Sequence, residues 1–97
     1  MKKQIINGMT GTDAKMMTTS NGKVKAYFRM AEHKTNADGE EVTVWHNVAA
    51  WNGNAKRVEN LVAGTPITIE CFSYQSTWTD RNGQTRERTE LVITKIF

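Results

Sequence analysis

One cysteine, one proline and no long apolar run are what this 97-residue chain has least of, and each scarcity removes a class of answer. A lone thiol, Cys71, cannot form an internal disulfide, so the fold has to rest on packing. His33 and His46 lack the companions that a zinc site needs, so no metal is expected. No stretch approaches the roughly 18 apolar residues that a spanning helix requires. The opening MKKQIING carries two lysines but no apolar run of secretory length. The expectation is a cytoplasmic chain with no membrane partner, no cofactor and no small-molecule substrate.

What remains fits one small domain over residues 1–97, long enough for a single core and not for two. Hydrophobic residues make up 38% and charged residues 24%, the balance of a globular protein. A net charge of +3 is by itself weak evidence for a nucleic-acid partner. Its distribution says more. In the predicted strand Lys23 to Ala31, one parity gives Val24, Ala26, Phe28 and Met30, an apolar face. The other gives Lys23, Lys25, Tyr27 and Arg29, three cations around an aromatic.

The same period-2 rule applies to EVTVWHNVAAWNG, Glu41 to Gly53. Val42, Val44, His46, Val48 and Ala50 share a plausible core face, which leaves Trp45, Asn47, Ala49 and Trp51 on the other. Large aromatics on a solvent-facing side call for a partner that covers them. Tryptophan also packs in cores, and for Trp45 and Trp51 the residues alone leave core and surface evenly matched.

Elsewhere the chain reads as short strands between turn signals. Ile5 to Thr10 is a first strand, and Ser20-Asn21-Gly22 precedes the second. Asp38-Gly39 leads into the strand of Trp45 and Trp51. Asn82-Gly83 separates late strands at about Ile67 to Trp78 and Arg86 to Ile96. Asn-Gly and Asp-Gly tolerate the positive φ of tight hairpins. Only Asn54 to Val62 breaks the rhythm: Asn54 can cap, Ala55, Val58, Leu61 and Val62 recur at helical spacing, and Gly64 and Pro66 end the element. An all-β fold of five strands, with one short helix between the third and fourth, is the arrangement of the OB-fold, a Greek-key barrel. Barrels of the SH3 type usually lack a helix of this length in that place.

The segment Trp45-His46-Asn47-Val48, the stretch AKRVENLVAG, the strand ITIE and above all TWTDRNGQTRERTELVI resemble the bacterial single-stranded DNA-binding protein family. There the corresponding stretches read close to T-E-W-H-R-V, a helix ending in K-G, V-Y-I-E-G, and K-W-T-D-x-x-G-x-x-R-Y-x-T-E. The likeness runs from about Ile5 to Ile96, nearly the whole chain. WTD followed by NGQ and TE, downstream of WH, is a specific combination.

The resemblance implies that Trp45, Trp51 and Trp78 stack on bases, since the matching positions do so in the family. Stacking suits a protein that must bind any sequence, because every base has a π-face. Six residues of strand put Trp45 and Trp51 roughly 20 Å apart, on different bases of one extended strand. Tyr27 is a further candidate. Lys23, Lys25 and Arg29, with Arg81, Arg86 and Arg88 around the Trp78 hairpin, are candidate phosphate contacts. His46 has core parity, and the family's equivalent histidine lies near a subunit contact, so it is expected at an interface. The resemblance further implies a homotetramer, less often a dimer. Phe72 and Tyr74, opposite in parity to Ile67 and Ile69, give that assembly a second apolar surface. Cys71 reads as a small buried hydrophobe.

The likeness has gaps. The loop EHKTNADGEE offers only His33 where many members have an aromatic, and Arg86-Glu87-Arg88 stands where a tyrosine is expected, so binding leans more on charge. The chain also stops at Phe97 without the Gly- and Gln-rich extension and acidic tip of the family, as a minimal member or a trimmed piece would. The expected role is non-sequence-specific coating of single-stranded DNA in replication, recombination or repair, associated with the bacterial nucleoid. A primosome-type accessory protein or an RNA-binding cold-shock-like module would share the sheet. An enzyme is not expected, since no paired carboxylates, activated nucleophile or phosphate-cradling loop can be assembled.

Overall fold

The computed structural model describes residues 2–97. Six strands and one helix follow in the order β1 Lys3–Thr10, β2 Lys15–Thr18, β3 Val24–Thr35, β4 Glu41–Trp51, α1 Gly53–Val58, β5 Pro66–Thr79 and β6 Thr85–Ile96. Alternation decides which side of each strand is buried. Ala26, Phe28 and Met30 of β3 point inward, as do Val48 and Ala50 of β4, Ile67, Ile69 and Cys71 of β5, and Leu91 and Ile93 of β6. Together with Ile6 of β1 they form one cluster, and α1 closes one end of it with Ala55 and Val58.

The sheet order β1-β5-β6-β4-β3 returns to β1 through a β1–β3 pairing, so five strands close into a barrel. β4 and β6 run parallel, with Val48 opposite Leu91 and Ala49 opposite Val92, and every other pair is antiparallel. This is the expected OB topology. β2 is an addition that pairs with β3 alone. Its four residues, KMMT, are all exposed and bury no face, so no hydrophobic alternation announces it. Because β2 intervenes, the helix lies between β4 and β5, after the third barrel strand as expected.

The three Gly-containing hairpins use one design. Gly22, Gly39 and Gly83 each have φ near +80°, whereas Asn21, Asp38 and Asn82 do not have positive φ. Each is therefore a turn with a single left-handed residue at its end, in which only glycine uses the tolerance that the dipeptides signal. Asn36 Oδ1 accepts from the amides of Asp38 and Glu40 at 3.0 Å, and Asp80 Oδ1 from those of Asn82 and Gln84 at 2.9 Å.

The helix is shorter than its apolar periodicity suggests. It ends at Val58, and Asn54 lies inside it, donating to the Ile93 carbonyl at 3.4 Å instead of capping. Asn52 precedes the helix at φ 52° and makes no side-chain cap bond. Leu61 still packs on the core, but Val62 is exposed because the chain there turns toward β1. Thr10 drives that turn: its buried hydroxyl donates to the Val62 carbonyl at 2.7 Å and accepts from the Thr65 amide at 2.9 Å. Asp13 Oδ1 takes the Ala63 amide at 2.8 Å.

β1 passes from β5 to β3 at Met9, which stands opposite both Pro66 and Ala31, and Thr10 then faces Met30. A Cβ on Gly8 would collide with the Ala31 carbonyl oxygen, which is backbone and cannot rotate away. Gly8→Ala is expected to lower stability by about 3 kcal/mol, the upper part of the overpacking range. Urea unfolding followed by far-ultraviolet circular dichroism measures it, and an unchanged midpoint would contradict this account of closure.

Candidate nucleic-acid interface

One outward face carries most of the chemistry, and strand register assembles it. Lys25, Tyr27, Arg29 and Ala31 of β3 stand opposite Trp51, Ala49, Asn47 and Trp45 of β4. Across β4, the same face continues into Val92, Glu90 and Arg88 of β6, then into Phe72, Tyr74 and Ser76 of β5. Ala49 shares this outward parity yet is fully buried, since a methyl group between Tyr27 and Val92 is overtopped by its larger neighbours.

Trp45 is 51% exposed, so it is not a core residue. Its ring lies over Gly11, where a Cβ would strike the indole, and the Arg29 guanidinium sits 5.0 Å from its centroid, within cation–π range. Trp51 is half-buried, with Lys25 Nζ 5.3 Å from its ring. Tyr27 is partly exposed midway between them. Arg88 and Asn47 join two clefts on this face, one of about 360 Å³ beside Trp45 and one of about 200 Å³ beside Tyr27, Arg29 and Lys15. A third cleft, of about 500 Å³, lies between Lys25, Trp51, Phe72 and Tyr74, with Lys23 at its edge.

The charges on the face are not all cationic. Lys25 Nζ is 3.3 Å from Glu90 Oε2, and the side chains are only 19% and 14% exposed, so this lysine is held before any ligand arrives. His46 Nε2 pairs with Glu32 Oε1 at 2.9 Å, half-buried beside Trp45. Burial pushes the Cys71 thiol pKa up, and Glu32 and Glu70 push it the same way, so it stays a neutral thiol. Among the described residues, no group of three His, Cys, Asp or Glu side chains could hold a metal ion.

Trp78, Arg81 and Arg86 lie elsewhere. They occupy the tip of the long β5–β6 hairpin, with Trp78 opposite Arg86 and 47% exposed. Six residues of β5 separate Trp78 from Phe72, roughly 20 Å. The structure thus gathers Tyr27, Trp45, Trp51, Lys25, Arg29 and Arg88 on the barrel face, Lys23 at its rim, and the other three on an arm. Asn47 lines this surface as its parity predicts, and Lys15, Glu90, Phe72 and Tyr74 also line it and were not expected there. For Phe72 and Tyr74 a signal existed: they share the parity of Trp78 along one strand.

Half-exposed aromatics spread among cations suit an extended, flexible polyanion better than a compact ligand. Comparison with known proteins narrows the reading. The model of the single-strand binding protein family matches residues 1–97. The chain belongs to that family. Similar curated members are the single-stranded DNA-binding protein of Rhizobium meliloti (strain 1021), 35% identical, and that of Rickettsia conorii (strain ATCC VR-613 / Malish 7), 31% identical. Both alignments cover 96% of this chain, which spans 58% and 66% of the respective relatives. The Plasmodium falciparum SSB solved in complex with ssDNA has the same fold, with a TM-score of 0.82 over 96% of this chain and 86% of that one at 19% identity.

At the arm tip, Asp80 Oδ2 accepts from Arg86 Nε at 2.8 Å. That bond, followed by the Gln84 and Asn82 amides, holds the Asp80 carboxyl below its ordinary pKa. A depressed folded-state pKa means the stabilising contribution is fully present above the ordinary carboxylate value and is lost as pH falls through the lowered one. The amide resonances of Asn82 and Gln84 should therefore titrate below the ordinary carboxylate range, and Arg86→Ala should move their midpoint upward. A native midpoint at the ordinary value would contradict this arrangement.

Proposed function

We propose that this chain binds single-stranded DNA with little sequence preference, as a non-catalytic coating protein of replication, recombination or repair. The observation that carries the reading is the barrel face itself: Trp45 and Trp51 on one strand, exposed and half-buried, with Arg29 and Lys25 against their rings. Single strands present unstacked bases to such rings, while a duplex hides them. Family membership supports the reading, as do relatives whose names state single-stranded DNA binding. In it, Trp45, Trp51, Trp78 and Tyr27 stack on bases, and Lys23, Arg29, Arg81, Arg86 and Arg88 follow the phosphates. Lys25 reaches a phosphate only by leaving Glu90. Residues 1–97 act as one domain in the bacterial cytoplasm, near the nucleoid.

Oligo(dT) should quench the tryptophan fluorescence, and matched RNA and duplex DNA should bind less tightly. Trp45→Ala and Trp78→Ala should each weaken binding by about 1–3 kcal/mol without lowering the melting temperature appreciably. Affinity should fall log-linearly with salt, with a slope of about −0.7 per phosphate contact. Among the described residues neither Arg29 nor Arg88 is in a salt bridge, so the double change to alanine should make that slope shallower. No quenching and no gel shift at low salt would reject the function. Preference for the RNA would favour a cold-shock-like role.

The assembly proposed is a homotetramer, or less often a dimer, with His46 near a subunit contact. Two features support it: among the described residues β1 leaves its far edge unpaired over Lys3 to Asn7, and it exposes Ile5 there. Sedimentation equilibrium across a wide concentration range should give a mass above one chain. A stable monomer at tens of micromolar would reject it.

A further inference from the structure

Both tryptophans of β4 carry a cation over the ring, and the two cations are held differently. Arg29 lies over Trp45 and, among the described residues, is in no salt bridge. Lys25 lies over Trp51 and is also bound by Glu90, its ammonium 3.5 Å from Oε1 and 3.3 Å from Oε2. That bridge crosses the outward face, since Lys25 is on β3 and Glu90 on β6, with β4 between them in the sheet. Lys25 is level with Trp51. Glu90 is level with Asn47, because it comes two residues before Val92, which stands opposite Ala49 in a parallel pair. The link therefore runs diagonally over Ala49. The cleft of Trp51, Phe72 and Tyr74 lies on one side of it, and those of Tyr27, Trp45 and Arg88 lie on the other.

We propose that Glu90 is a positioning residue for strand binding: it holds Lys25 across the path between Trp45 and Trp51, so a strand settles first on the Trp45 half and reaches Trp51 only by breaking the bridge. The proposal rests on the single-strand reading above and adds to it a built-in competitor for the phosphates. A carboxylate and a phosphate oxygen make the same kind of charge-assisted bond to an ammonium. Glu90 thus occupies Lys25 as a phosphate would, while Lys25 covers the ring face that a base would use. Displacing Lys25 leaves the Glu90 side chain, only 14% exposed, unpaired beside a polyanion. An uncompensated charge in such a place is unfavourable. Arg29 has no such competitor, so the Trp45 half stands open. Nothing in this arrangement depends on which base is bound, in keeping with little sequence preference.

Anisotropy titrations with labelled oligo(dT) of about 16 and about 4 nucleotides, the limits of one OB-fold's site, test this. Glu90→Gln should tighten binding of the longer strand about threefold or more and leave the shorter one nearly unchanged, because the open half accommodates it. Its salt slope for the longer strand should steepen by about 0.7, the share of one added phosphate contact. Loss of a negative charge alone also favours a polyanion, so the deciding variant is Lys25→Ala combined with Glu90→Gln, whose net charge equals that of the wild type. It lacks the bridge and uncovers Trp51. It should bind the longer strand more tightly than the wild type does, with the wild-type slope. Equal or weaker binding by the double variant, or an equal gain by Glu90→Gln on both lengths, overturns the proposal. Should the double variant fail to fold, the salt slope of Glu90→Gln decides alone, and an unchanged slope rejects the bridge as a competitor. If the wild type binds oligo(dT) and Trp45→Ala weakens it, such results leave general strand binding intact; if nothing binds, both readings fall.

Discussion

Closure of the barrel at β1 is the constraint on which the other features depend. One strand has to hydrogen-bond to β5 along most of its length and then to β3 at its end, so two backbones must approach where Gly8 faces the Ala31 carbonyl. Immediately afterwards Thr10 fastens the segment that follows the helix, and Gly11 gives the Trp45 ring a flat surface to lie on. Barrel closure, helix connection and the first aromatic of the outward face are thus all referred to four consecutive residues, Gly8 to Gly11. Side chains on Gly8 or Gly11 would be felt in different places, the first in stability and the second in where Trp45 sits.

Much of this was legible because a strand has period 2. Applied to Lys23–Ala31 and Glu41–Gly53, the rule separates Ala26, Phe28, Met30, Val48 and Ala50 from Lys25, Tyr27, Arg29, Trp45 and Trp51, as the burial pattern does. The hairpin glycines were legible for a similar reason, since few residues accept φ near +80°. What was not legible was non-local or lacked periodicity. β2 buries nothing, so only its ladder with β3 reveals it. Helical spacing carried the helix on to Val62, whereas the Thr10 hydroxyl, 52 residues away, decides where the chain turns. Glu90 looked like part of a motif, and its partner Lys25 is 65 residues distant.

The barrel face and the hairpin arm differ in electrostatic character. On the barrel, Lys25 and Glu90 are shielded from solvent, so their pairing is weakly screened and geometrically defined. On the arm, the Asp80–Arg86 pair joins a more exposed arginine to a turn that backbone bonds already hold, and its net contribution is correspondingly small. Ionic strength therefore acts unequally along one surface, most where the cations are most exposed.

The β5–β6 hairpin has a mechanical consequence. Its outer part, from Thr77 to Thr79 and from Thr85 to Arg86, contributes no residue to the core cluster and is held mainly by its own ladder. It can fray from the tip without opening the barrel, so its amides belong to the fast-exchanging end of the molecule. A ligand that engages Trp78 would have to still this lever, and part of the contact energy would go into ordering it. The arm is long enough to reach along a passing chain, and the same length makes it the most compliant part of the fold.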